Sequence, residues 1–578
     1  MARTKPIMVE KFAGMIPIAD DRALPDDYAS FCENTALYSQ ILKGFAIPKL
    51  LHTTTSPTAR YVYRIPNDYT KVGLYEPSFW MEFQHPDTTV VRAPVTEDVY
   101  DRYYWVEPGQ PPRYNTAARI RAGQPSYLLG IPGPAVAPGV TPSGGVSSIV
   151  VTRAYLYTWV SAFGEEGPVS PATVKNGKQD DSWAITMTAP TAADTASRAL
   201  AKTRLYRTVT GATGVASYFL VAELDIATLA YTDVLADTVV TGQSLLQSTT
   251  WAAPPTTLQG IVAMPNGILC GWSGSDVYFS EPYRPHAWPV EYGVTTEYPI
   301  IGMAVLNQSA ILCTSNFPSV VTGSHPSGMA VQKIDMNEPC LSRGSIVTGT
   351  SGVYYASQNG LMQISPSGLA SVTKELIGTR GWLELVNPPG LRAVRYSGVY
   401  LAFDCSKQDD QFGGIIDPAN DRVAFTRVRN LVPVDNIIDE RWSGRALLIA
   451  DGEVYEFDPP FETEQYPYTW KSKRFRWRKP TNFGALKVFC DDTPIPGLFS
   501  DNPFARAARA EMTSETSNVR VRIWCDNVLV YDEWLPHPAP VTKLPSGFKG
   551  IWWQFEIQAR TNVMGVHIGQ SVRDLAQV

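Results

Sequence analysis

Residues 519–534 read VRVRIWCDNVLVYDEW, and residues 551–558 read IWWQFEIQ. In the first stretch Val519, Val521, Ile523 and Cys525 alternate with Arg520, Arg522 and Trp524. In the second, Ile551, Trp553, Phe555 and Ile557 alternate with Trp552, Gln554, Glu556 and Gln558. A period of two over this length places every second side chain on one face, so each run is a strand with one buried face. Asp526-Asn527 is the turn that sends the first strand into VLVYDEW. Residues 463–578 are therefore expected to form a C-terminal β-sandwich domain.

The same punctuation extends upstream. Across 251–462 an apolar run, a Gly-containing turn and a second apolar run recur about every 45 residues, a spacing typical of propeller blades. Examples are NGILCGWSGSDVYFSEP (266–282), NQSAILCTSNFPSVVTG (307–323), SGVYLAFDCS (397–406) and GRALLIADGEVYEFDPP (444–460). Gln358-Asn359-Gly360 and Asp451-Gly452 are strong hairpin turns. Paired short strands at this period suggest blades of a β-propeller. Residues 61–146 alternate β runs such as RYVYRI, FWMEFQ and DRYYWVE with turns, and are read as the first part of that propeller. They end in GIPGPAVAPGVTPSGG (130–145), read as a linker and domain boundary.

Residues 147–250 form a module of their own, with about seven strands and no helical period, which suits a β-sandwich. The turn of its hairpin falls at Gly211 to Gly214. The aromatic strand followed by GEEGPVS, and the later RLYR, resemble a fibronectin type III-like module inserted into the propeller. Residues 1–60 are an N-terminal opening segment. DDYASFCENTALYSQILKG (26–44) is expected to hold a short helix, with Tyr28, Phe31 and Leu37 near helical spacing. The fold class is thus mainly β.

Composition agrees. Charged residues make up 18% of the 578 and hydrophobic residues 44%, a balance that buries a large core and hides surface against other copies. The 15 Trp, 28 Tyr and 21 Phe suit half-buried pleated surfaces and interfaces. The net charge of −6 argues against a tight DNA grip, which needs a basic excess. The N-terminus lacks the apolar core of a signal peptide, and no stretch approaches a membrane helix. Seven scattered cysteines, none at metal-site spacing, read as buried free thiols of a protein made in a reducing cytoplasm.

No catalytic or nucleotide-binding signature occurs, so the chain is read as a non-enzyme without cofactor, metal or catalytic residues. His52, His85, His286, His325, His537 and His567 are far apart, and Asp409-Asp410 and Asp491-Asp492 are read as solvated loop acids. The one charge cluster is YTWKSKRFRWRKP (468–480), where Lys471, Lys473, Arg474, Arg476, Arg478 and Lys479 interleave with Trp470, Phe475 and Trp477. Cations among aromatic rings can bind nucleic acid by phosphate pairing and base stacking. In an acidic chain the preferred reading is a domain or subunit seam, with rings buried and cationic heads reaching out.

Several long stretches resemble a family of phage virion structural proteins. They are FAGMIPIADDRALPDDYASFCENTALYSQILKG (12–44), SDVYFSEPYRPHAWPVEY (275–292), EYPIIGMAVLNQSAILCTSNFPSVVTGSHPSGM (297–329), VQKIDMNEPCLSRGSIV (331–347), GVYYASQNGLMQISPSG (352–368), YTWKSKRFRWRKPTNFGALKV (468–488) and KLPSGFKGIWWQFEIQARTNVMGVHIGQSVRDL (543–575). The resemblance implies a ring-shaped homo-oligomer, a hexamer, forming the tail tube or nozzle of a short-tailed phage virion. Its partners would be the adaptor or portal side of the tail and the fibres or tip, with double-stranded DNA passing through. The alternatives are a head–tail adaptor or other tail ring and, from another class, a carbohydrate-binding or glycan-degrading propeller.

Overall fold

A computed structural model describes residues 5–36, 41–210, 216–406, 412–416, 424–429, 432–460, 462, 464–491, 501–536 without 511–518, and 538–575. The chain is mainly β. Among the described residues the longest helices, Gly378–Leu385 and Pro503–Ala510, have eight residues each, whereas Val150–Ser161 is a twelve-residue strand. The expected hairpin turn at 211–214, and Leu37, lie outside the described residues. The chain divides into two compact units, residues 87–335 and residues 1–86 with 336–578.

The unit 87–335 holds three four-stranded antiparallel sheets, each running up and down in chain order. The first comprises Thr89–Arg92, Arg102–Val106, Arg113–Thr116 and Tyr127–Leu128; the second runs from Gly260–Met264 to Val294–Thr295, and the third from Ile300–Leu306 to Ala330–Lys333. They pack in series. Val91, Tyr104 and Tyr114 of the first share a core with Ile261 and Leu269 of the second. Cys270 and Trp272 of the second share another with Met303 and Leu312 of the third. Hairpin chemistry sets the register. Asn266 and Gly267 both have positive φ (63° and 70°), and a side chain at Gly267 would sit 2.4 Å from the Tyr283 ring.

Between the first and second sheets the chain builds a seven-stranded sandwich. A three-stranded sheet (Gly139–Ser143, Ser182–Thr186, Ala230–Asp233) faces a four-stranded one (Thr173–Lys178, Val150–Ser161, Leu200–Thr210, Ala216–Asp225). Val140, Trp183 and Ile185 of the one meet Tyr155, Tyr157 and Leu205 of the other. The sandwich begins earlier than its sequence suggested. Gly139–Ser143, inside the stretch read as a linker, pairs with Ser182–Thr186 over five residues. Proline and glycine are tolerated there because this is an edge strand.

The other unit contains one more up-and-down sheet, Val347–Thr348 to Gly368–Ser371, and a ten-stranded sheet. In that large sheet Ala29–Glu33 lies between Phe425–Arg429 and Tyr468–Ser472, and Gly550–Ala559 and Val519–Cys525 follow. The short helix expected in 26–44 is instead this strand. Cys32 and Ala29 bury against one face, and pairing on both sides overrides local helical spacing. Two further N-terminal strands complete C-terminal sheets: Ile7–Val9 pairs with Val563–Gly569, and Lys49–Thr53 pairs with Glu453–Glu456. The strands after residue 463 therefore share their sheets with residues 7–9, 29–33 and 391–429 rather than closing a sandwich alone.

Buried charge holds these elements in place. Arg64 and Glu440, 3.0 Å apart and 0% and 3% exposed, join the hairpin Tyr61–Pro66/Ser78–Phe83 to Asn436–Glu440. Removing one partner of such a pair costs about 3–5 kcal/mol, because the other is left buried and unpaired.

Candidate functional site

The basic cluster falls on two strands of the large sheet. In Tyr468–Ser472 alternate side chains are buried, which turns Trp470 inward. Its ring is fully covered, meets Phe12 edge-on at 5.0 Å, and donates its Nε1–H to the Ala13 carbonyl at 3.0 Å. Lys471 reaches the other way and stands 4.1 Å over the Trp524 ring. In Phe475–Thr481 the pairing with Gly550–Ala559 skips between Arg476 and Thr481. That irregularity bows 477–480 outward, which leaves Arg478 and Lys479 exposed and half-buries Trp477.

The cations do not act alone. Lys473 Nζ lies 2.8 Å from Asp26 Oδ1, and Arg474 Nε lies 3.7 Å from Asp21 Oδ2. The Arg474 backbone N–H also donates to the Asp21 carbonyl at 3.1 Å. Arg22 forks onto Asp20 through Nε and Nη2, both at 2.8 Å. That hydrogen bond holds the Asp20 carboxyl far below the usual carboxylate range. Arg476 and Arg22 both stand over the Trp552 ring, at 5.6 and 6.0 Å.

These residues wall an open groove of about 890 Å³. Its lining holds five cations (Lys5, Arg22, Lys473, Arg474, Arg476) against the single carboxylate of Asp26, with Phe475, Trp477 and Trp552 between them. Of the six cations singled out in the sequence, three line the groove; Lys471, Arg478 and Lys479 do not. Lys5, Arg22 and the Asp20, Asp21 and Asp26 partners were missed. The acidic runs Asp20-Asp21 and Asp26-Asp27 were visible, but only the pairing of Ala29–Glu33 with Tyr468–Ser472 brings them to residues more than 400 positions away.

A second concentration of ionisable groups lies in the other unit. Glu165 and Glu166 of the GEEGP turn are both buried and point to different places. Glu165 Oε1 accepts from Arg102 Nη1 at 2.5 Å, on the first up-and-down sheet, and lies 3.8 Å from His286 Nδ1. Glu166 stays inside the sandwich, accepting from Thr158 and Tyr206 hydroxyls at 2.7 Å and from Arg204 at 2.9 Å. Phe163, just before them, packs edge-on against Tyr100 and Tyr114. Burial, with Arg284 and Arg102 nearby, pushes His286 down to about 3. This network fastens the sandwich to the first sheet.

The remaining sequence candidates are dispersed. His52 bonds Glu82 at 3.0 Å and stacks on Trp80, His567 bonds Glu10 at 3.0 Å, and His325 caps Ser327. His85 falls in the unit of residues 1–86 and 336–578 and does not line the groove. Asp491 bonds Asn562, whereas Asp492, Asp409, Asp410 and His537 lie outside the described residues. All seven cysteines are free thiols, and burial raises Cys32 to about 12 and Cys490 to about 11, far from a reactive thiolate. Among the described residues no three metal-ligating side chains converge, and no helix is long and apolar enough to cross a membrane. No family model matches the chain, and no curated protein proved similar to it.

Proposed function

We propose that the chain is a structural, non-enzymatic subunit of a bacteriophage tail, one copy of a ring that forms the tail tube or nozzle. On this reading the up-and-down sheets are propeller blades, and about six copies enclose the channel that retains the genome and then lets it leave. Adaptor or portal proteins would lie on one side and fibres or the tip on the other. The observation that carries the reading is how the molecule spends its ionisable groups. Arg64–Glu440, Arg102–Glu165 and Arg207–Asp233, all buried or nearly so, tie strands to elements outside their own sheets. Such pairs serve rigidity and a unique arrangement more than net stability. A conduit under load needs that stiffness, and a ring needs low-charge, aromatic flanks. The resemblance of several stretches between residues 12 and 575, in order, to phage virion proteins supports the same class.

Imaging of purified virions tests it, with antibody fragments against residues 147–250 as the marker. The expected result is a ring of about six labels at the tail, distal to the portal. Labels on the capsid or fibres alone, or one label per particle, would overturn the reading.

A further inference from the structure

The groove walled by Lys5, Arg22 and 473–477 holds more positive charge than its own carboxylates balance. Asp20, Asp21 and Asp26 engage Arg22, Arg474 and Lys473. Among the described residues Lys5 and Arg476 have no carboxylate partner, and Arg478 and Lys479, farther along the strand of Arg476, are exposed. We propose that this groove seats a carboxylate-bearing segment of a second copy of this chain, and is one half of the contact that closes the ring. The inference rests on the ring reading above and deepens it.

Three observations favour that occupant. The groove already takes carboxylates, from the chain's own loop at 20–26, at ion-pair distances. Its rings are spoken for. Two guanidinium groups stand over Trp552, Phe475 is buried and stacks on Phe555 at 6.3 Å, and the half-buried Trp477 packs edge-on against Phe483 at 5.1 Å, which leaves little open ring face for a nucleic-acid base. The chain carries 55 acidic against 49 basic residues, so concentrating cations here leaves the rest of each copy richer in carboxylates. A ring needs two different, complementary surfaces on every subunit, and charge complementarity fixes their register.

The test uses the full chain and a carbodiimide, which joins an ammonium to a carboxylate only when the two touch. Peptides from the cross-linked dimer band are compared with those from the monomer band. Lys5 or Lys473 should be joined to an acidic peptide in the dimer band alone, whereas the Lys473–Asp26 link should occur in both. The double variant Lys5→Glu/Arg476→Glu alters two residues without internal carboxylate partners. It should keep the melting temperature, lose the dimer-specific link, and self-associate roughly tenfold or more weakly by sedimentation. If the wild type assembles with no dimer-specific link from Lys5 or Lys473, the seat is wrong while the ring reading stands. A chain that stays monomeric at its solubility limit also overturns the seat, and virion imaging then judges the ring separately. If the variant assembles normally but loses binding to duplex or single-stranded DNA, the groove is a nucleic-acid site instead.

Discussion

His286 illustrates how a single side chain is committed to structure. It is 7% exposed, meets Trp251 edge-on at 5.6 Å, and sits beside Arg102 and Glu165. Burial holds it neutral down to about pH 3, whereas in the unfolded chain it takes a proton near pH 6.5. A depressed folded-state value means that the unfolded state binds the extra proton. Stability is therefore full above about pH 6.5 and falls as pH drops toward 3. His286→Phe removes that linkage. Compared with the variant, the wild type should lose up to about 1.4 kcal/mol more per pH unit between pH 6 and 4, read from urea midpoints. Parallel pH profiles for the two proteins would rule the linkage out. Nothing in the sequence marked His286 out from the other five histidines. Its state is set first by burial, then by Arg284 and by Arg102, 184 positions away, and only the fold supplies the burial and brings Arg102 near.

At the scale of the element, strands were legible where the pattern was local. Val519–Cys525 alternates buried and half-buried residues as its sequence implied, and Asp526-Asn527 turns with both φ values positive. Asp451-Gly452 likewise joins Arg445–Ala450 to Glu453–Glu456. Gly550–Ala559 departs from the pattern: Gln554 and Glu556, on the face read as solvated, are also buried. It is a central strand, flanked by Tyr468–Ser472 and Val519–Cys525, and Gln554 finds the Ser472 carbonyl while Glu556 finds Arg522. Partners at such separations leave no trace in the periodicity of either strand. The same limit hid Gly139–Ser143 within a stretch rich in glycine and proline. A fragment of residues 134–250 should consequently melt cooperatively, whereas one of 147–250 should not. The shorter piece lacks Val140 and reduces the three-stranded sheet to two strands, too few to stand alone. Equal cooperativity in calorimetry would mean that the first strand is dispensable.

For the whole molecule, net charge limits any affinity for DNA. With a net charge of −6, and three of the five cations of its main groove already paired with carboxylates, the protein should bind duplex DNA more weakly than micromolar at physiological salt. A salt titration should also give a shallow slope, because few phosphate counterions are displaced. Tight, steeply salt-dependent binding would contradict this expectation. The N-terminal strands of three sheets bear on how the chain is made. Ile7–Val9, Ala29–Glu33 and Lys49–Thr53 leave the ribosome before their neighbours, which lie at 563–569, at 425–429 and 468–472, and at 453–456. At ~5–20 residues per second, the earliest strand waits roughly half a minute or longer for its partner. During that interval three strand edges depend on chaperones or on residual order to stay out of aggregates. A copy whose synthesis stops before residue 563 never gives Ile7–Val9 its partner, and one that stops before 453 leaves Lys49–Thr53 unpaired as well.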